Sequence, residues 1–401
     1  MAKTAFTYVI VGGGLAGASA VEGIRERDQS GPILLIGSEK HLPYDRPPLS
    51  KKLWFGKKKV EDIFLHGRTF YEEKGVALMP GRTVEALDAG SRTVTDNAGS
   101  VCQYEKLLLA TGGRPRTLPI PGGDLAGICY YRALDDYERM RGELGEGKSA
   151  VVIGGGFIGS EMAAALAINK IKATMIFPEP CLVSRVFPQP LGMAIQKEYL
   201  KRGVQVLAGD RPAAIERKGA KFVTSTQAGR KIESDAVIVG IGIAPSIELA
   251  ERAGLKTGNG IVVNEYLQTS DSNIYAAGDN AFFPYHALGV QTRVEHWDNA
   301  LNQGKYAGRN MAGGREAYSY MPYFFSDLFE FGYEAVGDVN ANLDIVYDWQ
   351  KEFDTGVVYY LKDRKVRGAM MCNVWEKVEA ARDLIRKGET VTPEGLRGAI
   401  R

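Results

Sequence analysis

The array G-x-G-x-x-G occurs twice in this chain, each time directly after a run of apolar, mostly β-branched residues. The first follows Val9-Ile-Val and sets Gly12, Gly14 and Gly17; the second follows Ala150 to Ile153 and sets Gly154, Gly156 and Gly159. This is the pattern of a strand running into a helix through a phosphate-sized turn. The first glycine permits the turn, the second lets the backbone approach a pyrophosphate, and the third lets the helix pack close to the strand, so that the helix N-terminus faces the anion. One array alone is a weak signal, because glycine-rich turns are common in purely structural loops. Here each has its complement. The run Ile33 to Ile36 leads to Glu39 and the run Thr174 to Phe177 leads to Glu179, and an acid about 20 residues past the last glycine is what a ribose hydroxyl needs. Two complete fingerprints predict an α/β chain with two Rossmann-like domains and two bound dinucleotides.

The segments between the arrays repeat the same punctuation. Lys106 to Thr111 reads as an apolar strand ending in Ala110-Thr111-Gly112, followed by Arg114-Pro115 and a Pro/Gly-rich connector, Thr117 to Asp124. In the second half, Gly203 to Leu207 and Ala236 to Ile241 read as further strands, the latter running into Gly242 and on to Pro245. This internal repetition predicts one nucleotide-binding domain inserted in another. The expected outer domain is 1–116 with 241–318, the inner one 117–240, and a C-terminal α+β domain 319–401. Ile274 to Asp279 is a small-residue strand that delivers a carboxylate at a tight turn before an expected helix. Alone it reads as a helix cap; after two dinucleotide folds, Asp279 suits the ribityl hydroxyls of a flavin. In Leu42 to Lys51 the prolines break any helix up to Pro48 and leave Leu49 onward free to start one. Arg46 and Lys51 there are either solvated surface cations or groups aimed at an anionic cofactor.

Composition narrows the classes. A length of 401 residues, 45% of them hydrophobic and 24% charged, suits two or three globular domains, and a net charge of +2 makes no case for nucleic acid. The Lys57 to Lys59 run reads as a solvated loop. No apolar run approaches the roughly 20 residues of a membrane helix, and the N-terminus passes into a core strand with no room for a signal peptide, so a cytoplasmic location is expected. Cys102, Cys129, Cys181 and Cys372 form no C-x-x-C pair, so neither a disulfide framework nor a metal site is expected.

Taken together, Val11-Gly-Gly-Gly-Leu-Ala-Gly17, Ala110-Thr-Gly112, Gly154-Gly-Gly-Phe-Ile-Gly-Ser-Glu161 and Tyr275-Ala-Ala-Gly-Asp279 resemble the FAD-dependent pyridine-nucleotide oxidoreductases of glutathione-reductase-like fold. Arg46-Pro-Pro-Leu-Ser-Lys51 and Val294-Glu-His-Trp-Asp-Asn-Ala300 look like the branch of ferredoxin and rubredoxin reductases of oxygenase systems. The stretch Tyr323 to Gly337 looks more like the flavoprotein domain of apoptosis-inducing factor. Both relatives imply three domains, FAD, NAD and C-terminal, and both imply FAD and NAD(H) as cofactors. No cysteine lies in the Pro47 to Lys51 stretch, which argues against the thiol chemistry of the disulfide reductases, and the mitochondrial relative's targeting region is absent, which argues against an organelle role.

The resemblance implies a residue set. Gly12, Gly14, Gly17, Glu39, Arg46, Lys51, Ala110, Thr111, Gly112, Arg114, Gly278 and Asp279 are expected at the cofactors, with Glu295, His296 and Trp297 beside the isoalloxazine. Gly154, Gly156, Phe157, Gly159, Glu161, Glu179, Gly242 and Phe325 complete the set. Lys51 and Glu161 are placed at flavin N5, where an ammonium would stabilise negative charge arriving on the ring. Glu161 is expected in the first turn of its helix, where the dipole favours the charged form; an interdomain salt bridge is the competing and compatible role. Phe157 covers the flavin face or packs in the core. Trp297 stands where electron-transferring reductases carry an aromatic and the apoptosis-related branch a histidine. Phe325 falls where that branch carries a tryptophan. His296 is a proton donor or a satisfied structural group.

The function this implies is an NADH-dependent FAD oxidoreductase that hands electrons to a small ferredoxin-like or rubredoxin-like iron–sulfur carrier. The alternatives are a redox-gated interaction protein similar to apoptosis-inducing factor, in which reduced flavin and NAD⁺ form a long-lived charge-transfer complex and the output is a conformational change, often formation of a homodimer, and an NADH oxidase reducing oxygen or quinones. Glu179 and the absence of a nearby cation before Arg185 favour NADH over NADPH.

Overall fold

The apolar run ahead of the first glycine array forms the central strand of a sheet, Thr4–Val11, in the computed structural model, which describes residues 4–400. Parallel partners flank it on both sides, Ile33–Gly37 and Val101–Leu109, and a strand so placed is covered on both faces; Val9 and Ile10 are fully buried. The sheet extends through Val76–Pro80 at one side and through the antiparallel strands Thr93–Asp96 and Val84–Asp88 at the other. Ile274–Ala276, far along the chain, returns to pair in parallel with Val101–Leu109.

Two helices of this unit meet backbone to backbone. A Cβ added at Gly23 of Leu15–Arg25 would lie 2.2 Å from the Lys305 carbonyl oxygen of Trp297–Met311, and one at Gly304 would lie 2.3 Å from the Ala16 carbonyl oxygen. The unit comprises the chain up to Asp45, Glu61–Arg114 and Ala244–Pro322.

The second unit comprises Arg46–Val60, Pro115–Ile243 and the chain from Tyr323 onward. Its parallel sheet runs in the order Gln205–Ala208, Lys172–Phe177, Ser149–Ile153, Ala236–Val239, Cys129–Tyr130. Val151 and Val152 of the central strand are again fully buried. A three-stranded antiparallel sheet, Pro212–Lys218, Lys221–Thr226 and Lys231–Ser234, sets Ile215 and Phe222 against Val237 and Val239. The C-terminal part is a five-stranded antiparallel sheet ordered Tyr323–Leu328, Phe331–Gly337, Lys365–Cys372, Thr355–Lys362, Asp344–Lys351, with the helix Val378–Lys387 packed on it. Its β-branched and aromatic strands match the Tyr, Phe and Val-rich composition there. The chain is thus α/β, with two Rossmann-like sheets and a C-terminal α+β part.

Three local expectations are corrected. Pro47–Ser50 is a short 3-10 helix that begins at the prolines, because a proline in the first helical positions lacks only an N–H that would be unpaired there anyway. Lys51 therefore closes that turn instead of lying inside a helix. Asp279 precedes a strand, Ala281–Tyr285, and not a helix. Glu161 is the fifth residue of Phe157–Ile168, beyond the first turn, so the helix dipole contributes little to its charge and side-chain partners must supply the rest. Among the described residues no helix is long and apolar enough to cross a membrane.

Candidate functional site

Each glycine array divides its work between protein and open space. In the first, a Cβ at Gly12 would sit 2.0 Å from the Ala110 carbonyl oxygen and one at Gly17 would sit 2.1 Å from the Gly12 carbonyl oxygen, whereas one at Gly14 would meet nothing within 4 Å. In the second, Gly154 is blocked by the Gly240 carbonyl oxygen at 2.3 Å and Gly159 by that of Gly154 at 2.0 Å, while Gly156 again meets nothing within 4 Å. Gly12 and Gly154 also hold φ values of 129° and 116°, a region closed to side chains. The outer glycines are thus required by the protein's own backbone. The middle ones, Gly14 and Gly156, are the N-caps of Leu15–Arg25 and Phe157–Ile168, with no side chain capping either helix. Uncapped N–H groups facing open space are what a pyrophosphate takes.

The two acids are placed alike. Glu39 and Glu179 each lie two residues beyond their strand, and each backbone carbonyl accepts an N–H at the end of the next strand, from Gly81 at 2.9 Å and from Gly209 at 3.0 Å. Tyr44 donates its hydroxyl to the Glu39 carboxylate.

Around the first cradle, Thr111 donates to the Ser246 carbonyl at 2.6 Å and accepts from Asn280 Nδ2 at 2.9 Å. Gly112 accepts the Ser246 N–H at 2.9 Å. The amide of Gly278, whose φ is 89°, donates to Gln303 Oε1 at 2.9 Å. Asn280 Oδ1 and Gln303 Nε2 are fully buried beside Asp279 without a protein partner. A buried polar atom left open in this way marks a place for a polar ligand or water, and with the open Gly14 it fits a flavin dinucleotide. Trp297 Nε1 donates to Asp45 Oδ1 at 2.7 Å, which fixes the indole. Arg293 bridges the Asp279 carbonyl, at 2.9 Å, and the Glu295 carboxylate. Loss of hydration holds His296 down at about 4, with the Asp279 charge opposing; a neutral imidazole is a poor proton donor near neutrality. Arg114 is exposed and paired with Glu248.

In the second unit Lys51 Nζ lies 3.0 Å from Glu161 Oε1. Ser50 donates to Glu161 Oε2 at 2.5 Å and Ser326 donates to Glu161 Oε1. All four residues are buried. The ammonium also stands 4.9 Å from the centroid of the half-exposed Phe325 ring. Phe157 packs edge-on to Phe324 at 5.6 Å. Arg46 donates to the Arg132 carbonyl at 3.0 Å, and the Gly242 carbonyl accepts the Arg116 N–H at 2.9 Å. Sequence reasoning had brought together Lys51 and Glu161 but missed Ser50, Ser326, Asn280 and Gln303; a lone serine or amide carries no spacing signal.

The four cysteines are buried and unbridged. Burial raises the thiols of Cys102 and Cys181 and pushes that of Cys129 up to about 12, which leaves them as thiols and poor nucleophiles.

Residues 6–304 match the pyridine nucleotide-disulphide oxidoreductase family, and residues 346–387 match the C-terminal region of mitochondrion-associated apoptosis-inducing factor. The chain is 34% identical over 393 residues to the ferredoxin–NAD(+) reductase component of the anthranilate 1,2-dioxygenase system of Burkholderia cepacia, covering 97% of this chain and 96% of that one. It is 33% identical to mitochondrial apoptosis-inducing factor 1 of Dictyostelium discoideum, covering 96% and 79%. Its structure superposes on the reductase of a covalent putidaredoxin reductase–putidaredoxin complex with a TM-score of 0.91 at 31% identity, covering 98% of this chain and 95% of that one.

Proposed function

The chain belongs to the pyridine nucleotide-disulphide oxidoreductase family, and from that premise we propose that it is an NADH-dependent FAD oxidoreductase that passes electrons to a small carrier protein of the ferredoxin or rubredoxin type. The observation that carries this reading is the duplicated cradle, in which Gly14 and Gly156 both open onto free space while Glu39 and Glu179 stand past the second strands. FAD would be held by Gly12, Gly14, Gly17, Glu39, Thr111 and Asp279 within 1–116 and 241–318, and NAD(H) by Gly154, Gly156, Gly159 and Glu179 within 117–240. FAD held there would supply the chemistry that links a hydride donor to a one-electron acceptor. The protein's part is to bind, orient and charge. The helix N-termini of Leu15–Arg25 and Phe157–Ile168 neutralise pyrophosphates. Lys51, held by Glu161, would supply the fixed positive charge that the family resemblance assigns to flavin reduction, and Phe157 would cover the nicotinamide position. The carrier's own cofactor is proposed to be an iron–sulfur centre.

Apoptosis-inducing factor offers a second reading, favoured by the match over residues 346–387. Anaerobic rapid mixing with NADH, followed by oxygen or by a ferredoxin, separates the two. Fast carrier reduction with slow oxygen reaction supports the reductase. A long-wavelength charge-transfer band that persists for minutes and is not discharged by carrier supports the gated protein, and fast reoxidation by oxygen alone supports an oxidase.

A further inference from the structure

We propose that Ser326, together with Ser50, is a positioning residue for the Lys51–Glu161 pair: the two hydroxyls donate into the Glu161 carboxylate and hold it in place as a fixed partner of the ammonium. The inference rests on the reading that this pair acts in flavin reduction. Ser326 lies outside both segments matched by family, 6–304 and 346–387, so it brings the C-terminal sheet into the active pair.

The geometry accounts for the carboxylate oxygen by oxygen. Oε1 receives Lys51 Nζ at 3.0 Å and the Ser326 hydroxyl, and Oε2 receives the Ser50 hydroxyl at 2.5 Å. An ionised carboxylate is acceptor-only, so beside a lysine ammonium both serines must present their hydrogens to it. A buried ion pair is tolerated when further hydrogen bonds satisfy its remaining lone pairs, and the serines do this here. Two phenols also feel the carboxylate, Tyr199 and Tyr333; burial pushes both far up, so they stay neutral and add no charge, and that of Tyr333 also lies within hydrogen-bond reach of Ser326.

The donors come from separate places. Ser326 sits on Tyr323–Leu328 directly opposite Tyr333 in the antiparallel pair with Phe331–Gly337, an inward, fully buried site flanked by Phe325 on the more exposed face. Ser50 ends the 3-10 turn Pro47–Ser50, which Tyr131 anchors by donating to the Leu49 carbonyl. Ser50 is the donor to Oε2, and Ser326 shares Oε1 with the ammonium.

Removing one hydroxyl takes a donor from the carboxylate and loosens its aim at Lys51. The test uses the FAD-loaded full chain as Ser326→Ala, Ser326→Thr, Ser50→Ala and Lys51→Met, with circular dichroism to establish folding. The readouts are the flavin midpoint potential as a function of pH and the pH profile of flavin reduction by NADH. Both alanine variants should slow reduction on the order of tenfold and alter the pH profile of the rate and the pH slope of the potential from the parent's; Ser326→Thr should restore both. Ser50→Ala keeps the test open if Ser326→Ala does not fold. If Lys51→Met moves neither rate nor potential, the placement of the pair at the flavin fails. If Lys51→Met moves them while the alanine variants keep the parental profile and slope, the assignment of the serines is overturned and the pair stands.

Discussion

Lys51 Nζ and Glu161 Oε1 lie 3.0 Å apart with their side chains only 6% and 7% exposed. A pair so buried is stabilising only while both partners are present. Lys51→Met is expected to leave an unpaired buried carboxylate and to lower stability by roughly 3–5 kcal/mol, whereas Lys51→Met with Glu161→Gln should recover most of that loss. Urea unfolding of the parent, the two single variants and the double variant measures the coupling; additive losses would show that the charges do not see each other.

The flavin should register the same change. Lys51→Ala takes a positive charge from its surroundings, so the midpoint potential should fall and reduction by NADH should slow while FAD stays bound. Spectroelectrochemistry and stopped-flow absorbance check this, and an unchanged potential and rate would leave the pair a structural salt bridge.

The glycines offer a contrast within one motif. Gly156→Ala places a methyl where nothing lies within 4 Å, while Gly159→Ala drives it to 2.0 Å from the Gly154 carbonyl oxygen. The first variant should keep its stability within about 1 kcal/mol and bind NADH far more weakly, because the methyl occupies the pyrophosphate's approach. The second should lose stability outright. Thermal melts with and without NADH separate the two; equal melting losses would contradict the division of roles.

Glu179 stands two residues past its strand with its backbone carbonyl held by the Gly209 N–H. Arg185, the first cation after it, is exposed. A 2′-phosphate would meet the carboxylate's charge and forfeit a charge-assisted hydrogen bond, on the order of 2–4 kcal/mol or roughly 30- to 1,000-fold in favour of NADH. Glu179→Ala should close most of that gap in stopped-flow reduction by the two nucleotides, and equal affinity of the parent for both would remove Glu179 from the ribose.

His296 titrates near 4 in the folded chain against 6.5 when free. The unfolded chain therefore binds the extra proton first as pH falls, so this contribution to stability is complete above about 6.5 and is lost progressively towards 4. His296→Gln should flatten that part of the profile by roughly 1–3 kcal/mol. Unfolding free energies at pH 7, 5.5 and about 4.5 for both proteins provide the check, with identical slopes counting against a neutral imidazole in the folded chain.

The sequence by itself determined the parts whose signal is local. A strand, a glycine turn and a helix are read from residues within one βαβ unit, and Gly17 and Gly159 are compelled by the backbone of Gly12 and Gly154 in the same motif. Glu39 and Glu179 follow at near-constant spacing because strand two always begins where the helix has run back. Tertiary structure alone decided the setting of Glu161, which sits beyond the first turn of its helix and draws its donors from Ser50, Lys51 and Ser326. It also decided that Trp297 is fixed by Asp45 and that Asn280 and Gln303 leave buried polar atoms open beside Asp279. Such groups have no period and no required spacing; they become a site only when distant segments are folded against one another, and a serine there reads, in sequence, like any other serine.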